Sequence, residues 1–425
     1  MPIEYRALLI LAFMIIAFLL NKWPKGLITM ACCLLCYVTG ILDLQASFSG
    51  VIDPIVLLMA GLFVSINSLQ RTTAMIKIKS LVGRLSDKNE MLLLISFMAV
   101  VVVFAQMMGT AASVPLLISF LCTLPDRGNV TVSRLAIPVA GLTAMWQYTF
   151  PVGSSLTMVP ELNSYYEAFT SSPSEMLMLL DPLKFKLIPC ILVTVWTFFG
   201  YRLMPKVQAD LASASHGGAK KEVEKLPAWK EAIIYAVMLA DMIGLFLCNI
   251  IGEWQYVIPV IGIFVLAFAK CVPVPTIVKD ITNDVVWMIA GILVIADALN
   301  VSGAGELLGD TIVSLLGDHP SKIVALLVFG CATGVMTNLM SNIASRAIMV
   351  PIAALTAISA GWNPVPFVLT VAQMAWCAVV LPSASSAAAM GHAVANQRLQ
   401  DSLKYTIPFF LLSLFGCVLS SMLLF

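Results

Sequence analysis

The sequence predicts an all-α polytopic membrane protein, with about 10 transmembrane helices plus two re-entrant hairpins arranged in an inverted repeat. Three observations predict this class: the composition, the recurrence of apolar stretches and an internal repeat. Of the 425 residues, 60% are hydrophobic and only 11% are charged, and the mean hydropathy is +0.97. Soluble domains have about 45–50% apolar and about 25% charged residues. The composition therefore excludes a soluble enzyme, a nucleic-acid-binding protein and a disordered chain.

Apolar stretches long enough to cross a bilayer recur along the whole chain. A transmembrane helix needs about 20 predominantly apolar residues. We predict spans at 7–21, 26–42, 51–69, 133–158, 183–204, 231–251, 254–271, 284–301, 364–390 and 404–425.

Two further apolar regions, 90–124 and 321–358, are too long for one ordinary span. Small and polar residues interrupt both regions near the middle. Non-helical backbone at membrane depth is tolerated only where protein buries it or where it lines a cavity. We therefore interpret each region as a re-entrant hairpin, in which two short helices meet at a polar tip.

The basic residues support the hairpin interpretation independently. If both hairpins return to their own side, every basic loop falls on one face, which the positive-inside rule makes cytoplasmic. Both termini then face outward, and Arg6 is the single weak violation. The segment 71–88 alternates basic and apolar residues, and this pattern is typical of an amphipathic helix lying on the membrane surface.

The sequence repeats itself at a nearly constant offset. Residues 55–69 align without gaps with 285–299, and Ala60-Gly61 matches Ala290-Gly291. Pro151 with Ser154-Ser155 matches Pro382 with Ser385-Ser386, in the same order. An odd number of crossings separates the two copies, so the second copy is inverted. Inverted repeats with broken helices are typical of secondary transporters, whose site lies where the breaks meet.

Four breaks should converge in this arrangement: the two hairpin tips and the proline-containing interruptions at 151–155 and 382–386. Half-helix N-termini direct free N–H groups toward an anion, and freed carbonyls and hydroxyls can coordinate Na⁺. The competing interpretation is that small residues only permit close helix packing. We predict a substrate site formed by Gln106, Gly109, Thr110, Ser154, Ser155, Ser341, Asn342, Arg346, Ser385 and Ser386.

Residues 336–352, MTNLMSNIASRAIMVPI, resemble the second hairpin of the divalent anion:sodium symporter family of the ion transporter superfamily. That family carries a Ser-Asn-Thr motif at each hairpin tip and a proline-containing break after each hairpin. The layout from about 51 to 425 is similar throughout. The resemblance implies a homodimer with a scaffold domain and an elevator-type moving domain. It also implies cotransport of di- or tricarboxylates or sulfate with Na⁺, although some relatives exchange anions.

The resemblance also implies a Na⁺ site, for which the candidates here are Gly153, Ser341, Asn342 and Ala384. We expect no other cofactor and no nucleic-acid partner. The 10 cysteines lie in or beside apolar runs, and the three histidines are scattered, so neither type forms a metal-ligand spacing.

The sequence departs from the family pattern at both tips. Ile343 replaces the threonine of the second motif. We align the first motif by matching Val114-Pro115 with Val350-Pro351, which places Ala105-Gln106-Met107 where Ser-Asn-Thr is expected. The alternative alignment rests on Gly109-Thr110. Lost hydroxyls in the first half put one Na⁺ site and the substrate class in doubt.

Arg346 lies in an otherwise uncharged run, four residues after Asn342. An ionisable residue at membrane depth is a functional hypothesis by default. We weigh a contact with the substrate anion against a structural ion pair, for which Asp297 is the candidate partner. Asp297 is also the candidate proton or cation group. Gln373 and Trp376 are candidates for lining the cavity, with packing as the simpler role.

We therefore predict a secondary active transporter of a small anion of the di- or tricarboxylate, sulfate or sulfonate class. It would be Na⁺-coupled, work by alternating access, and lie in the plasma (cell inner) membrane. The alternatives are a cation/proton antiporter of the same superfamily and a Na⁺-independent anion exchanger. An enzyme is not expected, because no acid/base or nucleophile constellation is present. The predicted division is 1–50, 51–204, a cytoplasmic loop 205–230, 231–280 and 281–425, with the two repeats at 51–204 and 281–425.

Overall fold

The structure is a computed structural model of the chain. It describes residues 2–425 except 21, 70, 74–89, 108, 123–127, 171, 211–225, 306, 308–310, 312–320, 340 and 383. Residues 74–88 of the predicted surface helix 71–88 and most of the predicted loop 205–230 lie outside the described residues.

The described part of the chain is built of α-helices with short 3-10 turns between them. The helices are α1 (Ile3–Leu20), α2 (Lys25–Val38), α3 (Pro54–Leu69), α4 (Glu90–Met107), α5 (Thr110–Leu121), α6 (Val132–Trp146), α7 (Met158–Ser164), α8 (Asp181–Gly200), α9 (Ala228–Phe246), α10 (Trp254–Phe268), α11 (Val274–Ile281), α12 (Asp284–Val301), α13 (Lys322–Thr337), α14 (Asn342–Ser359), α15 (Val365–Ala375), α16 (Ser386–Ala395) and α17 (Leu399–Leu424).

The apolar content of these helices suits a bilayer. Five helical stretches of the described chain are long and apolar enough to span one, namely Ala46–Ser68, Asp181–Leu203, Val274–Val301, Asn342–Ser359 and Leu399–Leu424. Shorter apolar helices lie next to the breaks, among them α6 and α15. A break divides an apolar run into pieces that are individually too short to span.

The internal repeat is visible in the order of the helices. The same succession of helices occurs twice. Helices α3, α4, α5, α6 and α8 of the first copy correspond in order to α12, α13, α14, α15 and α17 of the second. The two helices after the tips begin at Thr110 and Asn342, with Gly109 and Ser341 as their N-caps. The proline anchor of the sequence alignment was therefore wrong, because Pro115 is the sixth residue of α5 whereas Pro351 is the tenth of α14. The alternative, anchored on Gly109-Thr110, matches the structure.

The two halves of the chain are intertwined. Helix α2 of the first half packs along α12 of the second, and α10 of the second half packs along α3 of the first. The repeated glycines make these contacts close. A Cβ on Gly61 would lie 2.5 Å from the Cβ of Pro259, and one on Gly291 would lie 2.4 Å from the Cβ of Thr29.

A charge fixes the start of α2 against the second half. The Asp284 carboxylate accepts hydrogen bonds from the backbone N–H of Lys25 at 3.0 Å and of Gly26 at 2.8 Å. These N–H groups have no partner within their own helix, and the helix dipole favours a negative charge at this end. Such a contact contributes about 0.3–1 kcal/mol, and up to ~2 kcal/mol when partly buried.

Candidate functional site

The first broken helix is held open by one amide side chain. Helix α6 ends at Trp146, and the chain runs without helix until the 3-10 turn Gly153–Thr157. Gln106, in the last turn of α4, donates to the carbonyl of Trp146. Its Oε1 accepts from the backbone N–H of Thr149 at 3.1 Å and of Phe150 at 3.0 Å. The side chain thus satisfies backbone groups that the break has freed.

The second broken helix is held in the same way. Helix α15 ends at Ala375, and α16 begins at Ser386. Asn338, directly after α13, donates from Nδ2 to the carbonyl of Cys377 at 3.1 Å. Its Oδ1 accepts from the backbone N–H of Val380 at 3.0 Å and of Leu381 at 3.2 Å. Asn338 and Gln106 are therefore equivalent residues of the two repeats.

Gly153 brings the first break against the first tip. Its φ is +57°, a conformation that side chains with a Cβ rarely adopt. A Cβ at this position would lie 2.7 Å from the Gln106 carbonyl oxygen and 2.9 Å from the Cα of Met107. Glycine is required here for both reasons, because the backbone turns to the left and touches the tip.

Arg346 lies in the first two turns of α14, next to the tip of the second hairpin. Its side chain is fully buried and forms an ion pair with Glu161 of α7, with Nη2 and Oε1 2.9 Å apart. The same Glu161 oxygen accepts from the hydroxyl of Tyr165 at 2.8 Å. The ion pair therefore joins the two repeats. The sequence analysis named Asp297 as the candidate partner of Arg346, and this assignment was wrong.

Two aromatic rings lie beside the guanidinium of Arg346. Its Cζ lies 5.1 Å from the ring centre of Trp376 and 5.9 Å from that of Tyr148. The two rings are themselves in contact, with centres 5.3 Å apart. Each ring comes from one break, so Arg346 lies where the breaks meet. Rings at this distance attract a cation, more strongly when water is excluded.

Tyr148 is held in an unusual backbone conformation, with a φ of +62°. For a bulky residue this conformation is an outlier, and such strain is concentrated at functional sites. The neighbouring hydrogen bonds to Thr149 and Phe150 fix this stretch of backbone. The strain therefore serves to place one ring beside Arg346.

Several donors around Arg346 have no acceptor. The Nε and Nη1 groups of Arg346 and the Nε1 of Trp376 are buried and form no hydrogen bond within the described part of the protein. Unpaired buried donors are costly, at about 1–3 kcal/mol each. An anion beside the guanidinium would supply the missing acceptors.

Lys186 is a second buried cation close to the first break. It lies on α8 with no exposed surface, and its Nζ donates to the carbonyl of Gln147. The Oε1 of Gln147 accepts from both the backbone N–H and the hydroxyl of Thr110. Among the described residues, no carboxylate lies within ion-pair distance of Lys186.

The predicted substrate residues divide between these parts. Thr110 is buried and bound to Gln147, Ser155 donates to Gln106, and Arg346 lies beside the two aromatic rings. Ser341 and Ser385 cap α14 and α16 through their hydroxyls. Asn342 accepts from Thr337, Ser386 is exposed at the start of α16, and Gly109 caps α5. Ser154 lies in the 3-10 turn after the first break.

Gln106 was predicted to contact the substrate. In the structure, both the nitrogen and the oxygen of its side-chain amide form hydrogen bonds with the broken segment. It therefore positions the break. Gln373 has the packing role: its buried side chain donates a hydrogen bond to the carbonyl of Met145.

The predicted Na⁺ ligands lie at both breaks and at the second tip. Gly153 lies against the first tip, whereas Ser341, Asn342 and Ala384 belong to the second tip and the second break. The Ser341 hydroxyl accepts from the backbone N–H of Ala344, and the side-chain Oδ1 of Asn342 accepts from the Thr337 hydroxyl. The Na⁺ site stays a prediction.

Each amide also borders an apolar cavity. The cavity beside Gln106 has a volume of about 530 Å³ and extends to Tyr235 and Met238 of α9. The cavity beside Asn338 has a volume of about 280 Å³ and extends to Phe410 of α17. The unwound backbone thus borders an apolar cavity at each break, while the Arg346 ion pair is buried.

The sequence analysis missed Glu161, Lys186, Gln147 and Tyr148 as site residues. Lys186 carries a signal that it could have used, since it stands in the predicted span 183–204, where an unpaired charge is a functional hypothesis. Glu161 follows Pro160 at the end of an apolar run, and nothing in the local pattern distinguishes it from the acidic loop residues after it.

Comparison with known proteins places this site in a transporter. Residues 15–372 match the family model described as Citrate transporter, CitMHS. The resemblance to the divalent anion:sodium symporters is confirmed at the level of their common superfamily.

Two relatives match over part of the chain. The uncharacterized transporter sll0640 of Synechocystis is 26% identical over 185 residues, covering 43% of this chain and 29% of the relative. The uncharacterized transporter YfbS of Escherichia coli is 25% identical over 202 residues, covering 48% of this chain and 33% of the relative. The matches thus span about a third of the length of these relatives.

Two solved structures share the fold. The YdaH transporter of Alcanivorax borkumensis, described as having an unusual topology, superposes with a TM-score of 0.54 at 13% identity and covers 99% of this chain and 97% of its own. MtrF of Neisseria gonorrhoeae, described in connection with a class of antimetabolite efflux pumps, gives 0.58 at 11% identity and covers 92% and 84%. At these identities the likeness concerns the fold alone.

Proposed function

Since the chain belongs to the Citrate transporter family and is a multi-pass membrane protein, we propose that it is a secondary active transporter of a small polyvalent anion. Di- and tricarboxylates, with citrate first, are the substrates to test, and sulfate and sulfonates follow. Movement of the site would expose it to each side of the membrane in turn. We further propose an elevator-type movement, a homodimer and residence in the plasma membrane.

The charges around Arg346 carry this proposal. Arg346 and Lys186 are buried cations near the two breaks, whereas Glu161 is the one carboxylate paired with either of them in the described chain. An excess positive charge in an environment of low dielectric constant favours an anion. Two opposite unit charges about 4 Å apart attract by about 4 kcal/mol at an effective dielectric constant of about 20.

The geometry of the unfilled donors favours a carboxylate or an oxyanion. A guanidinium offers two parallel N–H groups that match the two oxygens of a carboxylate. Each such pair on Arg346 combines Nη2, which contacts Glu161, with either the unfilled Nε or the unfilled Nη1. The unfilled indole N–H belongs to the Trp376 ring beside it. Lys186, one break away, supports binding of a second negative group on the same ligand.

A thermal-shift screen of the purified protein in detergent tests the proposal. Citrate, succinate, sulfate and a sulfonate are each combined with Na⁺, K⁺ or choline. A ligand present at 100 times its Kd should stabilise the protein by about 2.7 kcal/mol. Arg346→Gln should remove the anion shift, whereas the exposed control Arg398→Gln should keep it. A wild-type protein that responds to none of the anions would contradict the proposal.

The dependence on Na⁺ separates the modes of coupling. We propose Na⁺ symport, for which the anion shift should require Na⁺. An anion shift that is the same in choline would favour the Na⁺-independent exchanger.

One observation favours the second candidate, the cation/proton antiporter. Asp241 of α9 is buried, and neither of its carboxyl oxygens has a hydrogen-bond partner in the described structure. Ser65 lies beside it, because a Cβ on Gly262 would come within 4 Å of both side chains. A buried carboxylate in a membrane protein commonly marks a proton or cation pathway. A melting temperature that responds to Na⁺ or pH alone, and that loses this response in Asp241→Asn, would favour this candidate.

A further inference from the structure

We propose that Glu161 is an internal substitute for the transported anion, and this inference rests on the proposed function. Glu161 neutralises Arg346 while the site is empty and yields its place when the anion binds. The empty carrier can then reorient, so the protein performs net transport and is not restricted to exchanging one anion for another.

The contact between the two residues is suited to being replaced. It is made through one Arg346 nitrogen and one Glu161 oxygen, 2.9 Å apart. The Nε and Nη1 groups on the remaining edges of the guanidinium stay unfilled. A carboxylate ligand that takes Nη2 together with either Nε or Nη1 would bind better than this single contact, because bidentate pairs are the stronger arrangement. A free anion can therefore displace Glu161.

Glu161 also has a partner that remains after displacement. The Tyr165 hydroxyl donates to the same carboxylate oxygen at 2.8 Å, from the next turn of the chain. Both residues are buried, and Tyr165 has no exposed surface. Tyr165 thus holds Glu161 in reach of Arg346 through the cycle.

The empty state needs this internal anion. An uncompensated charge at membrane depth opposes movement of the site across the bilayer. Lys186 has only the neutral Gln147 carbonyl as its acceptor, so the Glu161 carboxylate leaves the empty site with one uncompensated cation instead of two. Arg346 has no acceptor besides Glu161 in the described part of the chain. The neighbouring rings of Tyr148 and Trp376 attract the guanidinium but bring no charge. Removal of Glu161 should therefore trap the empty carrier.

Transport by proteoliposomes containing purified protein tests this inference, with radiolabelled citrate as the probe. Net uptake is measured into citrate-free vesicles, and exchange is measured into vesicles loaded with unlabelled citrate. In Glu161→Gln we expect exchange to stay within about threefold of wild type while net uptake falls at least tenfold. Citrate binding in detergent should tighten about tenfold, because the internal competitor is gone. Glu175→Gln, in the loop after Tyr165, is the control and should match wild type in all three assays.

Two results would overturn the inference. If the Glu161→Gln variant keeps both net uptake and exchange, the empty carrier does not need Glu161. Glu161→Gln that loses both activities, with citrate binding unchanged or weakened, shows that Glu161 has a structural role or contacts the ligand directly. A gain in affinity is informative because general damage to the fold does not produce it.

Melting temperatures test the charge compensation without any substrate. Glu161→Gln should lower the melting temperature by several degrees, because Arg346 is left as a buried unpaired charge. Arg346→Gln combined with Glu161→Gln should recover most of that loss. An unchanged melting temperature in Glu161→Gln would contradict the charge compensation. If wild-type protein neither binds nor exchanges citrate, the proposed citrate transport fails, and the melting temperatures still decide whether Glu161 compensates Arg346.

Discussion

Gln106 and Asn338 make the same hydrogen bonds in the two halves of the chain. Each donates to the carbonyl near the end of a broken helix and accepts from two consecutive backbone N–H groups three and four residues later. The two side chains differ in length, yet both replace the hydrogen bonds that the helix loses where it breaks. The two copies of the inverted repeat thus match in individual hydrogen bonds.

Replacing either amide should destabilise the protein. Gln106→Leu leaves the N–H groups of Thr149 and Phe150 without their acceptor, and a buried unpaired group costs about 1–3 kcal/mol. We expect Gln106→Leu and Asn338→Leu to lower the free energy of unfolding by about 2–5 kcal/mol each. Chemical denaturation in detergent measures the loss. The exposed control Gln400→Leu should differ from wild type by less than about 0.5 kcal/mol, and equal values for all three variants would contradict the bridging role.

Gly153 and Gly252 offer a matched pair of substitutions. Their φ angles are +57° and +56°, so alanine meets the same backbone strain at both positions. A Cβ on Gly252 has open space around it, whereas one on Gly153 would collide with the Gln106 carbonyl. Gly252→Ala should cost about 1 kcal/mol, and Gly153→Ala clearly more, with a loss of transport. Melting temperatures and citrate uptake in proteoliposomes check this difference. Similar losses in both variants would show that the contact with the tip is unimportant.

Lys186→Met should weaken binding of polyvalent anions. Methionine keeps the volume of the side chain but removes the positive charge beside the Gln147 carbonyl. We expect the Kd of citrate to rise at least tenfold, which corresponds to about 1.4 kcal/mol. The Kd of a monocarboxylate should change less. Isothermal titration calorimetry in detergent measures both constants, with the exposed Lys184→Met as the control. A citrate affinity that is unchanged would remove Lys186 from the site.

Glu167, in the 3-10 turn Glu167–Phe169 outside the membrane-spanning helices, should make stability depend on pH. Burial, followed by the negative charges of Asp53 and Asp297, raises the pKa of its carboxyl from the ordinary value of 4.5 to about 7. The folded state therefore holds the proton more tightly than the unfolded state. Stability from this group is present below pH 4.5 and is lost as the pH rises through about 7.

The variant Glu167→Gln tests the direction of this pH dependence. Its melting temperature should fall less than that of wild type between pH 5 and pH 8, and at pH 8 it should exceed the wild-type value. Glu253→Gln, an exposed position before α10, is the control. If wild type and Glu167→Gln respond to pH in parallel, Glu167 does not carry the effect.

The fold was largely predictable because hydropathy and repeats are properties of long segments. The match of Gly61 with Gly291 correctly predicted equivalent helices, and both glycines make close helix contacts. The tip alignment failed because a proline inside a helix marks no fixed distance from its start. Pro115 and Pro351 lie at different depths in α5 and α14, whereas the caps Gly109 and Ser341 correspond.

The site was less predictable because its key contacts join distant segments. Arg346 stands out in the sequence as a lone charge, but its partner Glu161 is 185 positions earlier and resembles the loop residues after it. The strained backbone of Tyr148 leaves no mark in the residue pattern, because tyrosine is not a residue that favours a positive φ. Lys186 was overlooked although it lies in the predicted span 183–204, because a position near the start of that span also fits a lysine that reaches the membrane surface.

The hold of Asp284 on the start of α2 sets an order of events during synthesis. The N–H groups of Lys25 and Gly26 await a carboxylate 259 and 258 residues further along the chain. A ribosome adding roughly 5–20 residues per second needs roughly 10–50 seconds to make that stretch. Throughout that interval the second helix lies in the membrane without its permanent neighbour. The nascent protein therefore depends on lipid or on the insertion machinery to shield the face that Gly291 later covers.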